Sequence, residues 1–121
     1  MFKIPTAEKR IAHKKQTAYV EEGVNITPMP VTMDETVNIA YEGLLAQNNA
    51  GSIYLHVGNG LSDYWTNIQD ISMENENNVW TTSVIPSGSR LNFCFHDGAN
   101  NWDNNYGHNW SLTVHNGKQI N

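Results

Sequence analysis

Cysteine is almost absent: Cys94 stands alone, which excludes an internal disulfide. Its place in the strand-like run LNFCFH marks it as a small buried hydrophobe. No apolar run approaches the length of a membrane span, and the N-terminus lacks the apolar stretch of a secretory signal. The chain as given is therefore expected in the cytoplasm and away from membranes, or outside the cell if it was cut from a larger secreted protein. Basic residues are scarce too. Five of the seven (Lys3, Lys9, Arg10, Lys14, Lys15) fall in residues 1–15, which leaves two basic against eleven acidic residues, or −9, on residues 16–121. A body of that sign repels phosphate backbones, which excludes nucleic acid as its partner. The basic N-terminal cluster carries no interleaved aromatic residues and reads as a solvated tail.

What fills the gap is amide. Seventeen of the 121 residues are asparagine, a residue whose side chain competes for backbone hydrogen bonds and so favours turns over helix interiors and sheet ladders. Residues 1–36 form a polar, basic and then extended lead segment, in which Pro28 and Pro30 oppose helix and Val24, Ile26 and Met29 can lay an edge strand on the body. From Val37 the pattern becomes strands and turns. VNIAYE (37–42), SIYLHV (52–57), VWTTSVI (79–85), RLNFCFH (90–96) and NWSLTVH (109–115) alternate with a period of two. AQNNAG, VGNGLSD, ENENN and PSGS punctuate them. One all-β domain over 37–121 follows, an antiparallel β-sandwich of immunoglobulin-like kind.

Alternation also sorts side chains by face. With Leu55, Val57, Phe93 and Phe95 in the core, Tyr54 and His56 project outward. Trp80 and Trp110 alternate with core aliphatic residues and read as core. The stretch 96–110, HDGANNWDNNYGHNW, places Trp102 among five asparagines and two glycines, where burial is hard. Sugars are bound in this way: a flat aromatic ring covers the apolar face of the pyranose, and uncharged amides meet its hydroxyls as donor and acceptor together.

The elements VNIAYEG, IYLHVGNG, YWTNI, VWTTSVI, LNFCFHDG and NNWDNNYGHNWSLTV stand in an order that resembles the starch-binding modules of carbohydrate-binding family 25 and the related family 53. The closing signature is an aromatic strand, then DG, NWDNN and G-x-N-aromatic. The resemblance implies a non-catalytic module for α-1,4-linked glucan, starch or glycogen, with no cofactor. It implies that Trp65 and Trp102 form an angled platform, and that His56 with the loop amides Asn101 or Asn104 bonds hydroxyls of neighbouring glucoses. Tyr54, outward beside His56, joins the candidate site. Trp65 read as a loop-closing aromatic and His56 read as a solvated strand histidine are the plainer alternatives. A third reading combines sugar and protein binding, with the basic tail docking a glucan-metabolising enzyme while the sandwich holds polymer.

Other chemistries fit less well. A glycosidase needs two carboxylates across a cleft, and Asp97 and Asp103 sit in ordinary turn contexts. The five histidines show no zinc spacing, although His96 and His108 flank the Asn-rich loop. Asp97, Asp103 and Asn105 offer oxygens for calcium but do not follow the helical calcium-loop pattern. The rival reading is an immunoglobulin-like protein–protein interaction module that uses the same exposed aromatics. The amides around each ring favour sugar.

Overall fold

The computed structural model describes residues 17–117, so the basic cluster of residues 1–15 lies outside the described residues. In chain order the elements are β1 (Thr17–Glu21), β2 (Val24–Met29), β3 (Val37–Tyr41), α1 (Leu44–Gln47), β4 (Tyr54–Leu61), β5 (Tyr64–Ser72), β6 (Glu74–Glu76), β7 (Val79–Val84), β8 (Arg90–His96), β9 (Trp102–Asp103) and β10 (Trp110–Thr113). One sheet runs β1-β2-β3-β7-β6 and the other β10-β8-β4-β5, with β9 also paired to β8. Every strand pair is antiparallel.

The core lies where the period-two pattern puts it. Val24, Ile26, Val37, Ile39, Tyr41 and Trp80 of the first sheet face Leu55, Val57, Leu91, Phe93, Phe95 and Trp110 of the second, and all are buried in one cluster. An aromatic contact joins the two sheets: Tyr41 of β3 stacks on Phe95 of β8 with ring centroids 3.9 Å apart, while within the second sheet Phe93 lies parallel to its register partner Trp110. The antiparallel sandwich expected from the alternation is therefore the fold, and Trp80 and Trp110 are core residues.

Two local readings are corrected, and one strand is added. Val24 and Ile26 do not lie on an edge: β2 pairs with β1 on one side and β3 on the other, and both side chains are fully buried. The stretch VGNGLSD is mostly strand, because β4 continues to Leu61 and only Ser62 and Asp63 turn. The segment after it is β5, nine residues long, whose side chains are nearly all exposed. A polar edge strand buries little, so hydrophobic periodicity cannot reveal it.

The asparagines have a conformational explanation. Ten described residues other than glycine have positive φ, and seven of them are asparagine. Asn77 and Asn78 (φ 57° and 67°) form the tight turn between β6 and β7. Short amide side chains tolerate the left-handed region that other residues resist.

Candidate functional site

The outward-facing residues of the second sheet form the candidate site. Tyr54 and His56 project from β4, as alternation requires, and His96 projects from β8, whose residue Cys94 pairs with His56. Asp70 on β5 is the register partner of His56 and lies on the same face. Trp102 on β9 pairs with His96 and so joins that face as well.

Trp65 reaches it by an irregularity. Five positions separate Trp65 from Asp70, which in a regular strand puts them on opposite faces. Val57 pairs with Gln69 but Asn59 pairs with Thr66, so Asn67 and Ile68 together oppose Gly58. This β-bulge, with Asn67 at φ 53°, shifts the alternation by one and brings Trp65 round beside His56. Gly58 makes room for it: a Cβ there would lie 3.2 Å from the Trp65 Cβ and 3.0 Å from the Thr66 carbonyl.

The assembled geometry is a histidine held between two indoles. The His56 ring centroid is 5.8 Å from that of Trp65 and 5.2 Å from that of Trp102, the latter edge-on at 87°. Trp65 donates its indole N–H to the Ser62 carbonyl at 2.9 Å, which orients the ring against the β4–β5 turn. Trp102 is 47% exposed. His56, Trp65, Trp102, Asn104 and Asn109 line one open groove of about 420 Å³, with Tyr64 and Ile68 exposed at its rim. Tyr54 instead stacks flat on His96, at 5.1 Å, and His96 lies 4.5 Å from Trp102. Asn101 is not among the groove-lining residues; its amide N–H donates to Asp97 Oδ2 at 2.7 Å.

The loop that carries Trp102 is built around two carboxylates. Asp97 accepts the backbone N–H groups of Ala99 and Asn101, and its bonds from the Asn101 side chain, Ala99 and the Asn101 backbone hold it below the usual carboxylate range. Asp103 accepts the Tyr41 hydroxyl at 2.5 Å and the Asn105 N–H at 3.2 Å. Tyr41 in turn accepts the Leu45 N–H at 3.0 Å, and burial pushes its hydroxyl far above its ordinary value, with the bond to Asp103 adding to the shift. The core and the loop are thus tied through one phenol. Both candidate calcium carboxylates are already engaged by protein donors.

Sequence reasoning missed Asp70. Its Oδ1 lies 2.7 Å from His56 Nδ1 and 2.8 Å from His96 Nε2. The hydrogen bond from His56, seconded by that from His96, holds its carboxyl below the usual range. His96 also meets Gly98, Tyr54 and Trp102, and the His56 ring edge-on at 6.1 Å. Among the described residues, His56, Asp70 and His96 form a group of metal-ligating type, with ligand atoms within 4.8 Å of one another. The missing signal was the register of β5, which the polar strand does not advertise.

Comparisons with known proteins bear on this face. Residues 37–93 match the model of the starch/carbohydrate-binding module, family 53. Of the two related families that the sequence resembles, it is family 53 whose model matches. The matched span includes His56, Trp65 and Asp70 and stops before Trp102. An alpha-amylase of Clostridium acetobutylicum is 42% identical to the chain over 80 residues, which are 63% of this chain and 10% of the amylase. The match thus spans about a tenth of that relative's length. No solved structure matches the chain significantly.

Proposed function

We propose that the chain is a non-catalytic module that binds α-1,4-linked glucan on the outer face of the second sheet. The observation that carries the reading is His56 held between Trp65 and Trp102, with the amides of Asn104 and Asn109 in the same open groove. Each indole covers the C–H face of one glucose and removes both surfaces from water. The near-perpendicular relation of His56 to Trp102 leaves an angled surface, which suits a curved chain better than a flat one. Asn104 and Asn109 meet hydroxyls without a charge to desolvate. The match to a starch-binding family and the likeness to an alpha-amylase support starch or glycogen as the polymer and a glucan-metabolising enzyme as companion.

A binding role without catalysis agrees with the carboxylates. Asp97 and Asp103 accept hydrogen bonds within their own loop, and Asp70 accepts from two imidazoles. None is held as the proton donor that glycoside cleavage needs. A shallow open groove predicts weak binding, with Kd between about 1 μM and about 1 mM, raised by avidity on a polymer.

Retention on insoluble starch and on glycogen, with cellulose as control, tests the reading. Wild type is expected on both α-glucans and not on cellulose. Trp102→Ala is expected to lose at least about tenfold in affinity while it stays folded. Absence of retention on every glucan sinks the proposal and leaves a protein-binding face.

A further inference from the structure

Resting on that reading, we infer that Asp70 is the positioning residue of the glucan groove: it holds the His56 proton on Nδ1 and so presents Nε2 as an acceptor for a sugar hydroxyl. The inference starts from what a carboxylate can do. An ionised carboxylate only accepts hydrogen bonds, so both ring nitrogens on Asp70 Oδ1 must be donors. His56 therefore carries its proton on Nδ1 and His96 on Nε2.

His96 supplies an independent check. Its second nitrogen, Nδ1, faces the Gly98 backbone N–H at 3.1 Å and must accept. Two partners on opposite sides of the ring thus agree on one neutral form, with the proton on Nε2. An imidazolium there would set N–H against N–H. His96 is in turn wedged between Tyr54 and Trp102, so its ring cannot easily turn to another arrangement.

For His56 the consequence lies in the groove. With the proton on Nδ1, the opposite nitrogen of the neutral ring is a bare lone pair. No described protein group bonds Nε2, and the ring lines the groove between Trp65 and Trp102. A solvent-exposed neutral histidine side chain prefers the other tautomer, in which Nε2 carries the proton. Asp70 inverts that preference, so between the two indoles, beside amides that can each donate and accept and with the Asp63 carboxylate also lining the groove, stands an uncharged group that only accepts. A hydroxyl lying between Nε2 and an amide then has its direction set, which favours one orientation of the sugar.

The same three residues suit a divalent transition metal by residue type and spacing. The proton on His96 argues against it. A metal needs the lone pair of His96 Nε2, which moves the proton to Nδ1 and against the Gly98 N–H. Metal-bound histidines donate from their second nitrogen, whereas that of His96 accepts.

Long-range proton–nitrogen NMR on the 15N-labelled chain at neutral pH reads the tautomers directly, and titration with maltoheptaose reads affinity. The expected result is a protonated Nδ1 on His56 and a protonated Nε2 on His96, with the His56 Nε2 resonance moving on addition of sugar. Asp70→Ala, at a position whose side chain is half exposed, should fold like wild type by circular dichroism and return the proton to Nε2 of His56. Its maltoheptaose affinity should fall by about tenfold. Asp70→Asn keeps a carbonyl oxygen that accepts both N–H groups, so it should retain the tautomers and most of the affinity. A wild-type His56 protonated on Nε2 overturns the inference, as does an Asp70→Ala protein that binds as tightly as wild type. Stoichiometric Zn²⁺ binding with loss of the His96 Nε2 proton overturns it in favour of a metal site. If the tautomers stand but wild type binds no maltoheptaose, the glucan reading falls, and the role of Asp70 within it falls too.

Discussion

Single side chains here do two kinds of work, and substitution separates them. Tyr41 packs its ring on Phe95 in the core, while its hydroxyl joins Asp103 to the Leu45 N–H. Tyr41→Phe keeps the stack and strands both polar partners, so a loss of about 1–3 kcal/mol in unfolding free energy is expected from urea titration. Because Asp103 adjoins Trp102, maltoheptaose affinity should fall as well; unchanged affinity would mean that the loop holds its shape without the phenol. Cys94, read as buried from its strand, is buried, and burial pushes its thiol up to about 12. A disulfide reagent at neutral pH should therefore leave it unmodified until denaturant is added. The asparagines were legible as turn formers and were read also as candidate sugar ligands, but residue type does not divide the two roles. Asn101 bonds Asp97 and Asn67 holds a left-handed backbone, while Asn104 and Asn109 line the groove.

At the scale of the element, alternation identified the core-facing side chains of β3, β4, β7, β8 and β10, although β8 also buries Asn92 and Cys94 on its other face. It placed Tyr54 and His56 outward by the same period of two. Strand β5 escaped, because it is a solvent-facing edge and because the bulge at Asn67 and Ile68 breaks its period in the middle. That bulge is a device for the site, since it turns Trp65 to the face of Asp70. Asn67→Gly accepts the left-handed conformation and should bind glucan like wild type. Asn67→Val forces a β-branched residue to φ 53°, for a cost of about 1–2 kcal/mol in thermal or urea unfolding. Gly58→Val presses on the Trp65 Cβ and the Thr66 carbonyl, so it should weaken maltoheptaose binding more than it lowers the melting temperature. The reverse ranking would show that Trp65 is not placed by this contact.

For the whole molecule, the ionisable groups set a stability window with two limbs. Asp70 and Asp97 are held below their ordinary value of 3.8 by hydrogen bonds that the unfolded chain lacks. Their contribution is present above pH 3.8 and is lost only as pH falls through the still lower folded values. Cys94 and Tyr41 are raised from ordinary values of 9.0 and 10.0, so the folded chain keeps protons that the unfolded chain releases. Stability should hold below pH 9.0 and decline above it. Urea midpoints should be level from about pH 5 to about pH 8 and clearly lower by about pH 10.5. A midpoint that does not move on the alkaline side would show that the buried phenol and thiol ionise freely in the native state.

What the sequence by itself determined is the sandwich, its core, the outward pair Tyr54 and His56, and the exposure of Trp102. Each follows from local rules: period two for a sheet with one buried face, and an indole among amides and glycines with nothing to bury it. The family resemblance grouped Trp65, Trp102 and His56; only the tertiary structure decided how they reach one surface and that His96 and Asp70 share it. Their meeting depends on strand register, on one extra residue in β5, and on β9 pairing with β8, which join positions up to 46 residues apart in the chain. Pairing of that kind is set by how two whole sheets pack, and in the exposed edge strand β5 the bulge breaks the period that Trp65, Ile68 and Ile71 would otherwise show.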